Sequence, residues 1–80
     1  MPTAIVLATV ESGGIEDAVE TLSEFEDVTE VYSVAGEYDL VVTVQVEEYE
    51  RFADVIPERL QSIDEIERTK TMMAFKTYKL

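Results

Sequence analysis

Eighty residues carrying a net charge of −12 allow one small domain and no more. Eighteen acidic side chains face only six lysines and arginines, which excludes binding to a phosphate backbone through clustered cations and disfavours an anionic membrane surface. With no cysteine and no histidine, disulfides, serine–histidine or cysteine–histidine catalysis and the usual zinc ligand sets are excluded as well.

The first predicted element is the apolar, β-branched run Ala4–Val10, a buried strand. Ser12-Gly13-Gly14 breaks it. Ile15, Ala18, Val19, Leu22 and Phe25 then recur at helical spacing, with Glu16 and Asp17 in the first turn, where the helix dipole favours acids. Asp27–Glu30 is predicted as a turn leading into a second strand, Val31–Val34. Ala35–Tyr38 is too short to cross over, so the third strand, Asp39–Val46, pairs with the second as a hairpin. A second helix places Tyr49, Phe52, Ala53, Ile56, Leu60 and Ile63 on one stripe, with a kink expected at Pro57, which cannot donate to Ala53. The last strand is predicted from Glu65 to Tyr78, long enough that a bulge or bend is expected within it.

The order is βαββαβ, and the halves echo each other at a constant offset. Leu22, Phe25 and Val28 match Leu60, Ile63 and Ile66, and Val6 and Ala8 match Val44 and Val46. This predicts an α+β, ferredoxin-like fold, with a four-stranded antiparallel sheet and two helices on one face. The first and third strands are the most apolar and belong in the centre. Along the third strand Leu40, Val42, Val44 and Val46 point one way and Val41, Thr43 and Gln45 the other. Continued alternation would leave Ile5, Leu7, Val41, Met73 and Phe75 on the face without helices. A patch of that kind calls for a second subunit packed sheet to sheet, and a homodimer is expected in preference to an open face that binds something else.

The acid excess, with lysine scarce, fits a salt-rich cytoplasm in which ions screen the self-repulsion, the alternative being an acidic mesophilic protein. Met1-Pro2-Thr3 is not the basic start of a secretory leader, and no run approaches the ~20 apolar residues that span a bilayer, so a soluble, cytoplasmic protein is expected.

Most carboxylates, such as Glu16, Asp17, Glu20 and Glu24, read as a solvated helix face, and no phosphate loop, EF-hand spacing or cofactor motif is present. Two segments stand out. Gly36, Tyr38 and Asp39 sit at the hairpin: Asp39 either caps backbone amides of a turn or offers a carboxylate to a ligand's ammonium. Thr69 and Thr71 share one side of the last strand, either as ordinary β-formers or as a pair of hydroxyls for a zwitterion.

The block Val31-Tyr32-Ser33-Val34-Ala35-Gly36-Glu37-Tyr38-Asp39-Leu40, with Thr69-Lys70-Thr71-Met72 and Lys76-Thr77-Tyr78-Lys79, resembles the ligand-binding (RAM) domain of the Lrp/AsnC transcriptional regulators over essentially the whole chain. The resemblance implies a single domain over residues 1–80 without the family's helix-turn-helix. The lack of histidine, tryptophan and a cofactor motif points to no enzyme and no cofactor, and the charge of −12 with no helix-turn-helix points away from direct contact with nucleic acid. The resemblance also implies sheet-to-sheet dimers joined into octamer-like rings, with an amino-acid effector between dimers, and co-assembly with full-length paralogues. The effector site would fall on Gly36, Tyr38, Asp39, Thr69 and Thr71. A pure assembly module and a dimeric α+β-barrel enzyme are the competing classes.

Overall fold

The computed structural model describes residues 1–80. Strand β1 spans Thr3–Val10, helix α1 Ile15–Leu22, β2 Val28–Ser33, β3 Leu40–Gln45 and β4 Ile66–Ala74. Between β3 and β4 lies a second helical segment. It consists of a 3-10 turn, Tyr49–Arg51, an α-helical turn α2, Phe52–Val55, and a π turn, Ile56–Leu60. The sheet order is β2-β3-β1-β4 with every pair antiparallel, so the fold is the ferredoxin-like βαββαβ arrangement with the two most apolar strands in the middle. No helix is long and apolar enough to cross a membrane.

One face of the sheet carries the core. Ala4, Val6 and Ala8 of β1 and Leu40, Val42 and Val44 of β3 are completely buried against Ala18, Leu22, Val55 and Leu60 of the helical layer. Burying a leucine of this kind contributes roughly 1.5–3 kcal/mol. The two halves are also tied across the helical layer, where the Arg59 guanidinium pairs with Asp27 and lies 5.6 Å from the centre of the Phe25 ring.

Several boundaries move from their predicted places. β2 begins at Val28 rather than Val31, because Thr29 is absorbed as an irregularity between the pairs Val28–Val44 and Glu30–Thr43. The ladder beyond β3 continues through single bonds, Asp39 N–H to Ala8 O and Val46 N–H to Pro2 O. β4 ends at Ala74, short of Tyr78. Around Pro57 the missing donor is accommodated by a wider turn, in which Gln61 N–H donates to Ile56 O. The buried stripe of this segment is Phe52, Val55, Ile56, Leu60 and Ile63, whereas Tyr49 and Ala53 are exposed.

The expected irregularity of the last strand is a bulge with a large consequence. Thr9 pairs with Arg68 and Val10 with Ile66, which leaves Glu67 as an extra residue on β4. One extra residue reverses the facing of everything after it. Met73 therefore pairs with Ala4 on the helix-covered side, together with Thr69 and Thr71, instead of on the open face where simple alternation puts it. Phe75 lies beyond the strand altogether. The open face instead receives Arg68, Lys70 and Met72 beside Ile5, Leu7, Val41 and Tyr32.

Leu60→Ala is expected to lower the unfolding free energy by about 2–5 kcal/mol in chemical denaturation. Glu20→Gln, on the exposed side of α1, is expected to stay within about 0.5 kcal/mol of the parent chain.

Candidate functional site

Val10 is the last residue of β1, and its N–H points to the side on which β3 has already ended. The Asp39 carboxylate fills the missing rung: Val10 N–H donates to Asp39 Oδ2 at 2.8 Å, while Asp39 N–H donates to Ala8 O at 2.9 Å. Asp39 thus extends the edge of β3 by one residue with its side chain. On the other side of β1, Arg68 N–H donates to Thr9 Oγ1 at 3.0 Å, which satisfies a donor displaced by the bulge. Two side chains therefore hold the end of β1 where regular pairing fails.

Gly36 has φ of +132°, a backbone conformation that strains any side-chain-bearing residue, although nothing lies within 4 Å of where a Cβ would stand. The hairpin leaves Tyr38 and Asp39 half-buried, and only Oδ2 of the Asp39 carboxylate is engaged within the chain. The capping role alone accounts for the presence of Asp39, and its second oxygen has no partner within the chain.

The threonines lie elsewhere. Thr69 pairs with Ala8 and Thr71 with Val6, on the strand edge of β1 opposite to β3. Two strand spacings, about 10 Å, separate them from the hairpin residues. Thr69 Oγ1 accepts from Gln61 Nε2 at 3.2 Å. Thr71 has no hydrogen-bond partner in the chain and opens into a cleft of about 500 Å³ lined by Tyr49, Glu50, Phe52, Ala53, Ile56, Thr71 and Met73. The five predicted site residues therefore form two groups within one chain. Gly36, Tyr38 and Asp39 make one; Thr69 and Thr71 make the other.

The cleft was not legible in the sequence, where Tyr49, Ala53 and Ile56 read as one buried stripe. Tyr49 and Phe52, three residues apart, form an edge-to-face pair with ring centres 5.8 Å apart, in which Phe52 is buried and Tyr49 exposed. No three acidic side chains converge as a metal site. On the open face, Glu30 raises Tyr32 above its ordinary pKa, first by hydrogen bonding to the phenol and then by charge repulsion.

A profile of the Lrp/AsnC ligand binding domain matches residues 3–80. The HTH-type transcriptional regulator FL11 of Pyrococcus abyssi is 37% identical over 79 residues, covering 95% of this chain and 50% of FL11, so the chain spans about half the length of that relative. Among solved structures, TTHA0845 of Thermus thermophilus is 38% identical with a TM-score of 0.90 and full coverage of both chains. The L-Met complex of the transcriptional regulator NMB0573 of Neisseria meningitidis shares the fold at 15% identity, with a TM-score of 0.88 over 99% of this chain and 53% of that one.

Asp39→Ala leaves the Val10 N–H without its acceptor and is expected to cost about 1–3 kcal/mol of stability. Amide exchange at Val10 should accelerate in that variant. Asp39→Asn retains an acceptor oxygen and should recover most of the loss in both measurements.

Proposed function

The chain belongs to the Lrp/AsnC ligand binding domain family, and from that premise we propose that it is a non-enzymatic regulatory module that binds an amino acid between copies of itself and reports it through assembly. The match over residues 3–80 carries this reading. Geometry supports the position of the ligand: the Asp39 carboxylate and the Thr71 hydroxyl are too far apart in one chain for a single amino acid to reach both, with β1 lying between them. They can share one ligand if the hairpin of one subunit faces β4 of another. The free Asp39 oxygen would take the ammonium, and Gly36 would let the ligand approach the backbone. Tyr38, Thr69 and Thr71 complete the site.

The dimer that precedes this assembly uses the helix-free face. Ile5, Leu7 and Val41 are only half-covered there, and Tyr32 and Met72 are exposed. The charges of the face are divided, with Arg68 and Lys70 on the β4 edge and Glu30 on the β2 edge. A two-fold axis along the strands sets the cations of each subunit over the acid of the other. An axis across the strands would oppose like charges.

A ligand shifts the assembly only by its difference in affinity between the dimer and the larger form. The same surfaces offer a route to co-assembly with longer regulators such as FL11, and hence to indirect control of transcription in the cytoplasm. The charge of −12 argues against direct contact with DNA. Because Asp39 is already engaged as a cap, a module that assembles with no effector is the second reading.

Thermal unfolding in the presence of each of the twenty amino acids separates the two, with L-methionine the first probe. A ligand at 100 times its Kd stabilises by about 2.7 kcal/mol and raises the melting temperature measurably. One or a few amino acids should do so, and the gain should vanish in Thr71→Val; no response to any of them supports the effector-free module. Separately, Leu7→Glu is expected to convert the sheet-paired dimer to monomer in sedimentation at micromolar concentration.

A further inference from the structure

The cleft between β4 and the second helical segment is almost wholly apolar and contains nothing from its own chain. A few residues away, the segment Phe75–Leu80 leaves β4 without regular structure. Phe75 is 104% exposed, Tyr78 74% and Leu80 121%, so three large apolar side chains are left in water beside an unfilled apolar cleft. We propose that the segment Phe75–Leu80 of one chain seats in this cleft of a second copy, and that this exchange is the contact joining one dimer to the next. The idea rests on the self-association proposed above and names its second surface.

Charge supports a second copy as the occupant. The segment carries Lys76 and Lys79, a third of the cations in the chain, and no acidic side chain. The mouth of the cleft carries Glu50, with Glu47 and Glu48 just before it, all exposed and none in a salt bridge. Tyr78 and Leu80 share one side of an extended chain and can enter together. β4 is an edge strand, so its outer backbone groups are free to pair with an incoming strand.

The chain's own segment is badly placed to fill the site. Beyond Ala74 it runs past Met1–Thr3, where Phe75, Lys76 and Thr77 border an adjoining cavity that meets the cleft only at Tyr49 and Met73. To reach Thr71 and Ile56 it would have to reverse at once, and residues 75–80 contain no glycine, proline, asparagine or aspartate. A second copy approaches without that reversal. Its segment would then cover Thr71, so that effector binding and segment docking share one boundary.

The test compares full-length variants by light scattering and sedimentation. The double variant Tyr78→Ser/Leu80→Ser removes the incoming side chains, and Ala53→Arg, at an exposed position, blocks the cleft and repels the lysines. Each should reduce an assembly larger than a dimer to the dimer, without changing the unfolding midpoint of the dimer. A labelled peptide of sequence Phe-Lys-Thr-Tyr-Lys-Leu should bind the double variant and bind at least tenfold more weakly once Ala53→Arg is added. Unchanged mass in both variants, or peptide binding indifferent to Ala53→Arg, overturns the proposal. A parent chain that is monomeric overturns the self-association reading instead, and the peptide then still decides whether cleft and segment recognise each other.

Discussion

A single extra residue on β4, Glu67, determines what each face of this sheet offers. Before it, Ile66 pairs with Val10; after it, Arg68 pairs with Thr9 and all later side chains have changed sides. That reversal puts Thr69, Thr71 and Met73 beside the second helical segment and Arg68, Lys70 and Met72 on the open face. Without it, the cleft would be lined by a lysine and the open face would carry threonines. A bulge disrupts backbone pairing, and here the displaced Arg68 N–H is met by the Thr9 hydroxyl, while on the other side of β1, where β3 has ended, Asp39 accepts from Val10. Asp39 therefore links the hairpin to the end of β1 at the level where the sheet changes phase.

The surfaces that the bulge creates match the needs of a short chain. The core comprises fifteen apolar residues on one side of one sheet, and a single layer of two helical segments leaves the other side uncovered. The remaining apolar surface is divided among the open face, the cleft and the C-terminal segment. A net charge of −12 opposes close approach of two copies. Four of the six cations lie on these surfaces, with Arg68 and Lys70 on the open face and Lys76 and Lys79 on the segment. Arg51 and Arg59 are used within the chain, pairing with Asp54 and Asp27. Salt screens the self-repulsion, so the proposed association should be favoured as ionic strength rises.

Most of the architecture was legible before the structure, because it follows from local patterns. Continuous β-branched runs mark β1 and β3 as central, helical spacing marks α1, and a connection of a few residues forces a hairpin. The facing of Leu40, Val42 and Val44 is correct for the same reason, since alternation within an unbroken strand needs no partner. The facing of Met73 fails because it depends on the partner's register: strand length calls for an irregularity but does not say where it falls or that it inserts one residue. Tyr49 and Ala53 fail similarly: a stripe at helical spacing shows which residues point toward the sheet, but not how far the sheet extends beneath them. Pro57 correctly marks an interruption, while the form it takes, a π turn, is a matter of packing.

From the sequence alone, the order of elements, the identity of the central strands, the charge and the hairpin residues around Gly36 and Asp39 are determined, since each depends on neighbours within a few positions. The tertiary structure alone decided that Asp39 completes a rung for Val10, that Thr69 and Thr71 lie two strands away from it, and that an apolar cleft opens beside Thr71. All three depend on register between strands distant in the chain. Register is chosen by the sum of contacts across the sheet, and no single segment encodes it.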